Sequence, residues 1–536
     1  MGWNNKRSRE NNKDRTQIKK PRTQEEILFD EGKLVFGSND TPHRNKIAIW
    51  NFETGNKGTL IKKDACIIPK NNTSPQFEYK RACLIKLLRE EYEKDCSELL
   101  YNMSAPKESF NRWLFEQLAV PKSKSDNTLD PVLCLPELSL SSSVIKLELT
   151  SEVPARVRHR FPKQAYNSMS SYITNGEKWL HKLNEEFNDD EQGDSLNEIR
   201  NKIREAKQWH NSQPRHITEE HLPTYKKKLE DLKETCSPLF HGILQDNIDT
   251  VCRRLHLKAV EVIKEMQEQD VDEQDQNTVK VAHNDQVVTV TYGKFLDTFD
   301  ITMCHYNKLR LLFRKHNQEQ SEQLFLDHLY VLLRRYQTFF GPNILEGGNF
   351  HAALPEAGFD LLNRHMEVSQ ECFASPLNCY FSEFCSAFPD IDVYFGSRGS
   401  FFDFEPEQGS FECGPPYTVE VMDQAADRCI QLLEKAEGPL SFVVFVPEWT
   451  NTHYGAALHP DQTNFCVGHF LADSENHQYV TGLQHLAINT AESTNRRYWT
   501  LPFHTHVYFL QNEKGRSKWP VTQEFMDELK RVMCTK

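Results

Sequence analysis

The sequence predicts an α/β fold in its carboxyl-terminal half, preceded by a helix-rich, highly charged half. Three observations predict it. Apolar residues recur at helical spacing from about residue 78 to 265. From residue 285 the texture changes, first to alternation at strand period over 285–292 and then to short apolar runs separated by loops or helices. Between two of those runs, Val419 to Lys435 reads as a helix stopped by Gly438-Pro439. Strands alternating with helices imply a sheet with some parallel strands. These observations divide the chain into a basic tail and linker over 1–60, a helical domain over 61–280 and an α/β domain over 281–536.

The tail, "MGWNNKRSRENNKDRTQIKKPR" (1–22), holds eight Lys/Arg and two Asp/Glu and almost no apolar residue. Such a segment cannot offset its ordering entropy and is expected to be disordered. Lys19, Lys20, Pro21 and Arg22 form a basic cluster that reads as a nuclear import signal or an RNA-contacting tail, against the plain alternative of a solvated terminus.

In "YKRACLIKLLREEYEKDC" (79–96), Leu84, Leu87, Leu88 and Tyr92 fall on one stripe. "KESFNRWLFEQLAV" (107–120) reads as a second, shorter helix, and a Ser/Pro-containing break follows over 121–143. Residues 160–265 are again helical, interrupted by acidic loops such as "NDDEQGD" (188–194), and "QEQDVDEQDQN" (267–277) reads as a solvated linker. "DQVVTVTY" (285–292) alternates as a strand, and "FLDHLYVLLRRYQTFF" (325–340) is an amphipathic helix ending at Gly341-Pro342. The later apolar runs are "ECFASPLNCYF" (371–381), "IDVYFG" (391–396), "GSFEC" (409–413), "LSFVVFVPEW" (440–449) and "HTHVYFLQN" (504–512). Ligands of α/β sheets bind outside the carboxyl ends of the strands, so the loops after 371–374, 413 and 446 are the places to look.

Composition narrows the function classes. With 64 Lys+Arg against 77 Asp+Glu, the net charge is −13, so the chain is not coated in positive charge. Nucleic acid remains possible where cations cluster locally. The 14 cysteines show no C-x-x-C spacing, which gives no zinc motif and predicts free, mostly buried thiols. No metal site is expected. No apolar run approaches the ~18 residues of a membrane span and no signal peptide is visible, so no membrane partner is expected.

The loop after 413 carries a chemical signal, "GPPYTVEVMDQ" (414–424). An exocyclic adenine amine is a poor nucleophile, because its lone pair is delocalised into the ring. A site that methylates it must hold the amine against the methyl donor and accept hydrogen bonds from its N–H groups. A side-chain carbonyl, a backbone carbonyl, a turn stiffened by two prolines and a stacking ring can do this. Pro415, Pro416 and Tyr417 supply the turn and the ring, but Gly414 has no side-chain acceptor. The plain alternative is a proline-rich turn between strand and helix.

The string "QECFASPLNCYFSEFCSAFPDIDVYFGSRGSFFDFEPEQGSFECGPPYTVEVMD" resembles the phosphorylated CTD-interacting factor family, the nuclear cap-specific adenosine methyltransferases. "ESFNRW" (108–113), "LLRRYQ" (332–337), "PLSFVVFVPEW" (439–449) and "FLQN" (509–512) share the resemblance, which runs from about 78 to 515. It implies a Rossmann-like methyltransferase domain that follows a helical domain. It also implies transfer from S-adenosyl-L-methionine to N6 of a 2′-O-methyladenosine beside the mRNA cap. The catalytic loop would be Gly414, Pro415, Pro416 and Tyr417. The cofactor would lie against Phe373, Ser375, Pro376 and Asn378, although Asn378 taken alone reads as a helix cap. Arg112 and Arg156 match positions that hold phosphates of capped RNA, where the guanidinium fork suits phosphate oxygens. Glu448 and Trp449 match an acid and an aromatic suited to a cationic, stackable cap base. Implied partners are capped mRNA and the phosphorylated RNA polymerase II carboxyl-terminal domain, and the implied location is the nucleus.

The chain departs from the family at several points. The family has Asn in place of Gly414, Phe in place of Tyr417, an acidic residue in place of Val419 and Arg in place of Thr450. The tryptophans, at 3 and 50 in the first hundred residues, do not make the close pair of a WW module. Losing one preorganised acceptor costs on the order of 10²–10³ in rate. The expectation is therefore a weakly active or inactive member that still associates with RNA, cofactor or RNA polymerase II. The alternatives are a fully active cap-adenosine methyltransferase and a non-catalytic transcription-associated scaffold.

Overall fold

A computed structural model describes residues 35–36, 47–48, 50–53, 59–61, 74–99, 105–106, 108–119, isolated positions between 145 and 181, 193–213, 221–268, 277–293, 297–318, 321–341, 350–449, 452–474, 476–487 and 498–534. The basic tail, the 121–143 break, Arg156 and Thr450 lie outside the described residues, as does most of the 267–277 linker.

Helices dominate the first half. Helix α1 (Pro75–Leu99) begins at Ser74, whose hydroxyl accepts the Phe77 N–H at 3.2 Å, with Pro75 in the first turn. Leu84, Leu88 and Tyr92 are buried as the stripe predicts, but Leu87 is 51% exposed. Ile85 is buried beside Leu84 instead, because the covered face of α1 is centred on 81, 85, 88 and 92. Helices α2 (Ser109–Ala119), α3 (Gly193–Ser212) and α4 (Leu222–Glu268) follow.

Three two-residue strands, β1 (Val35–Phe36), β2 (Ile47–Ala48) and β3 (Leu60–Ile61), precede the helices in the chain. A meander of β4 (Val279–His283), β5 (Val287–Tyr292) and β6 (Asp297–Thr302) comes next, antiparallel throughout. Helices α5 (Met303–His316), α6 (Glu322–Phe340) and α7 (Glu356–Met366) then lead into the main sheet.

That sheet holds β7 (Pro406–Cys413), β8 (Leu440–Pro447), β9 (Cys466–Ala472) and β12 (Thr505–Gln511), with β3 pairing antiparallel to the start of β7. The lateral order is β3-β7-β8-β12-β9. β7 and β8 are parallel, and β12 runs antiparallel to both neighbours. Beyond β7 the sheet continues as single parallel bridges, Glu371 to Glu412, Glu371 to Phe384 and Phe384 to Ser397. Moving outward from the Glu371–Glu412 pair, the chain therefore advances in both directions. The order reverses between them, and such a point leaves a crevice at the carboxyl ends of the strands.

Helix α8 (Val419–Lys435) covers one face of the sheet, while α7 and α9 (Gln523–Met533) cover the other. The alternation along β8 is direct: Phe442, Val444 and Val446 join the α8 core, and Val443 and Phe445 join the α7–α9 core. A two-stranded ribbon, β10 (Gln478–Val480) with β11 (Tyr498–Thr500), attaches through Ala353 and Val480.

Two of the expected apolar runs differ from strands. "IDVYFG" is a helical turn that begins at Pro389 and ends at Gly396, which has φ of 109°. Proline starts a helix readily, and only glycine adopts that φ without strain. "ECFASPLNCYF" contributes ladder contacts at Glu371 and Phe381 alone, because Ser375 and Asn378 fold the middle into a turn.

The "LLRRYQ" string joins the two halves. Arg335, on α6, donates to Glu78 on α1 at 2.8–3.0 Å and to Asp390 at 3.1 Å. Arg81 pairs with Glu78 at 3.1 Å, so two cations meet two anions with almost no solvent exposure. Its neighbour Tyr336 donates to Asp392 at 2.6 Å. Arg335→Ala should lower stability by about 3–5 kcal/mol, because Glu78 and Asp390 would remain buried with half their compensation. Chemical denaturation should show that loss; a change below about 1 kcal/mol contradicts the role given to Arg335.

Candidate functional site

The site forms where the parallel strands end. β7 gives way to Gly414, the bridge at Glu371 to Phe373, and β8 to Glu448 and Trp449, all at one edge of the sheet. Backbone bonds fix the register. Cys372 N–H donates to the Glu412 carbonyl at 2.8 Å, and Glu412 N–H to the Gln370 carbonyl at 3.2 Å. In a parallel pair, side chains at matched positions lie side by side, so this register sets the Glu371 and Glu412 carboxyls next to each other.

Sequence reading did not single out either glutamate, yet both line the site. The signal was available: each is a lone charged residue within an otherwise apolar strand-like run. Glu371 is fully buried, and its Oε1 accepts the N–H groups of Tyr380 at 2.8 Å and Phe381 at 3.0 Å. Burial raises its carboxyl to about 7, against the opposing pull of those two bonds and of Lys308. Burial raises the Glu412 carboxyl well above the usual range, with the neighbouring Glu371 charge adding to it.

Two adjoining hollows open at this edge. One, of about 470 Å³, is walled by Glu371, Glu412, Gly414 to Tyr417, Phe445 and Tyr479. The other, of about 780 Å³, is walled largely by rings, including Phe115 of α2, Phe339 and Phe340 of α6, and Phe401 and Phe402. They share Phe350, Ala352, Phe373, Asn378, Gly414 and Pro416. The ring-lined hollow suits a flat base, and the paired carboxyls suit a cationic group or a donor. Among the described residues, no group of His, Cys, Asp and Glu side chains could hold a metal ion. No helix among them is long and apolar enough to cross a membrane.

The residues singled out from sequence are distributed as follows. Phe373 and Asn378 face both hollows, whereas Ser375 and Pro376 are buried within the turn and line neither. Asn378 Oδ1 accepts from the Ser375 N–H at 2.8 Å and hydroxyl at 3.0 Å, and its Nδ2 donates to the His351 carbonyl at 3.1 Å. Its polar groups brace the loop.

The whole Gly-Pro-Pro-Tyr loop walls the smaller hollow. The Tyr417 hydroxyl, absent from the family's Phe, donates to the Tyr479 hydroxyl at 3.3 Å. The Tyr417 and Trp449 rings each meet Phe503 edge-on, at 5.7 and 6.0 Å between centroids. Glu448 is exposed beside them. Arg112 lies on α2, 4.0 Å from Glu108, on the helix whose Phe115 and Leu118 wall the larger hollow.

Comparison with known proteins gives two kinds of match. The family model described as "Phosphorylated CTD interacting factor 1 WW domain" matches residues 308–482, which run from α5 to β10 and contain one tryptophan, Trp449. The mRNA (2'-O-methyladenosine-N(6)-)-methyltransferases of Homo sapiens and Mus musculus are each 30% identical to the chain, over 491 and 494 residues. Each alignment covers 85% of this chain and 66% of the relative's length.

The raised Glu371 carboxyl makes stability depend on pH. A folded chain that keeps this proton up to about 7, where a free carboxyl releases it near 4.5, is favoured at low pH and loses that advantage as pH rises through 7. Glu371→Gln keeps the acceptor for Tyr380 and Phe381 but cannot ionise. Its melting temperature relative to the unaltered protein should therefore climb between pH 4.5 and pH 8. A difference independent of pH is the contrary result.

Proposed function

Because the chain belongs to the phosphorylated CTD-interacting factor family, we propose that it transfers a methyl group from S-adenosyl-L-methionine to N6 of a 2′-O-methyladenosine beside an mRNA cap. The observation that carries this reading is one cleft shared by the Pro-Pro-Tyr loop and the Phe373–Asn378 wall. That cleft lies where the strand order reverses. The same reversal, with one antiparallel strand set between parallel ones, supports a Rossmann-like methyltransferase domain following the helices.

The residues fit such a cofactor. Its adenine would pack among the rings of the larger hollow. The bound cofactor supplies an electrophilic methyl group. The chain's own residues orient the two reactants: Phe373 and Pro416 form the boundary between the hollows, and the Tyr417 ring closes the smaller one. Arg112 and, beyond the described residues, Arg156 would take RNA phosphates, while Glu448 and Trp449 would take the cap. Nuclear location and association with the phosphorylated polymerase tail rest on the family alone.

Turnover is expected to be slower than in an Asn-bearing relative. Gly414 has no acceptor, and Val419, 38% exposed at the start of α8, stands where the family has an acid. Calorimetry with S-adenosylhomocysteine should give saturable one-to-one binding. Mass spectrometry should detect methyl transfer to capped 2′-O-methyladenosine RNA and not to the uncapped control. Absence of cofactor binding by the full chain refutes the reading and favours a non-catalytic scaffold.

A further inference from the structure

Gly414 removes an acceptor, but the space that its side chain would fill is not empty. A Cβ placed on Gly414 would lie 2.7 Å from Glu412 Oε1. Apart from the flanking residues, Glu412 supplies the only described atoms within 4 Å of that position. The carboxyl of Glu412 thus curls over the Gly414 Cα into the volume that a longer side chain would need.

Three further observations bear on its role. Glu412 is 5% exposed and walls the smaller hollow together with Tyr417 and Tyr479. Among the described residues, none hydrogen-bonds its carboxyl, whereas the adjacent Glu371 is held by two backbone N–H groups. A buried carboxyl without partners is costly to retain unless a ligand satisfies it. Burial, with the Glu371 charge beside it, pushes its carboxyl well above the usual range and so favours the neutral acid form. A neutral carboxylic acid carries one carbonyl acceptor and one O–H donor, and the amide of an Asn likewise offers one acceptor together with donors.

We propose that the Glu412 carboxyl stands in for the acceptor missing at Gly414 and receives a hydrogen bond from the exocyclic amine of the target adenine. This inference rests on the methyltransferase reading above and names the residue that sustains its chemistry. In the transfer, the amine lone pair forms the new N–C bond. The S–C bond breaks with its electrons going to sulfur, which leaves a neutral thioether. The nitrogen sheds one proton to solvent water. Glu412 holds the amine in line and orients its lone pair while this happens, together with the Pro415 carbonyl. Because the acceptor sits on a longer, more flexible side chain than an Asn at 414, it is less preorganised.

Full-length variants test the assignment with two readouts, methyl transfer and S-adenosylhomocysteine binding. Glu412→Ala should bind S-adenosylhomocysteine as the unaltered protein does and lose transfer on the order of 10²-fold. Glu412→Gln, which keeps a carbonyl in place, should retain transfer to within about tenfold of the unaltered protein. In Glu412→Ala/Gly414→Asn the vacated space admits the new amide, and most of the lost transfer should return. Cofactor binding by each variant also reports that it folds.

Unchanged transfer in Glu412→Ala overturns the inference. So does a loss of S-adenosylhomocysteine binding in both Glu412→Gln and Glu412→Ala, which would make Glu412 an anionic grip on the cofactor. An unaltered protein that binds S-adenosylhomocysteine but transfers nothing also overturns it. An unaltered protein that fails to bind S-adenosylhomocysteine overturns the methyltransferase reading itself, and that result is separate from the others.

Discussion

The Arg335 guanidinium, held between Glu78 and Asp390, ties helix α1, helix α6 and the Pro389 turn into one unit. Each carboxyl is buried, so each needs the cation, and the cation in turn has no water to retreat to. The Phe388 ring, two positions before Asp390, lies 5.4 Å from the guanidinium, and Tyr336 fixes Asp392 from the following position of α6. The helical half is therefore anchored to the segment that carries Phe384 and Ser397, the outer bridges of the sheet. The placement of α6 matters for the site, because Phe339 and Phe340 lie one turn beyond Arg335 and wall the larger hollow.

From that anchor the cleft follows by ordinary sheet geometry. The chain passes from Glu371 outward to Phe384 and Ser397, then returns as β7 on the other side of Glu371. No helix or loop can cover both directions at the point of reversal, so a crevice remains. Two carboxyls meet there, and they differ in what holds them. Glu371 is spent on the backbone of the loop it precedes and shapes that wall of the cleft. Glu412 faces the cleft with no described partner, beside the glycine that distinguishes this chain from the family pattern. Burial raises both acids, and the Glu371 charge beside it further disfavours ionisation of Glu412.

The departures from the family pattern also take on a different weight in three dimensions. Tyr417 is a Phe with an added hydroxyl, and Tyr479 of the β10–β11 ribbon meets that hydroxyl. The substitution is thus matched by a partner more than sixty positions away in the chain. Gly414 is matched by a residue two positions away, through a side chain that curls back toward the loop. Val419 remains an exposed apolar residue at the start of α8, and nothing in the structure explains it.

Much was legible in the sequence because it depends on local pattern. Helical spacing gave α1, α2, α6 and α8, strand alternation gave β5, and short apolar runs gave β7, β8 and β12, since each pattern reflects what its own element covers. The strings around "FASPLN" and "GPPY" were enough to identify the chemistry to look for. Local pattern failed where an apolar run does not need to be a strand. Pro389 and Gly396 turned "IDVYFG" into a helical turn, and the Ser375–Asn378 bonds folded "ECFASPLN". What only the tertiary structure decided is which residues become neighbours across strands. Glu371 and Glu412 are 41 positions apart, and their contact comes from parallel register, which no local pattern encodes. The burial that raises both acids, and the turn of Glu412 over Gly414, follow from that register and from the helices packed around it.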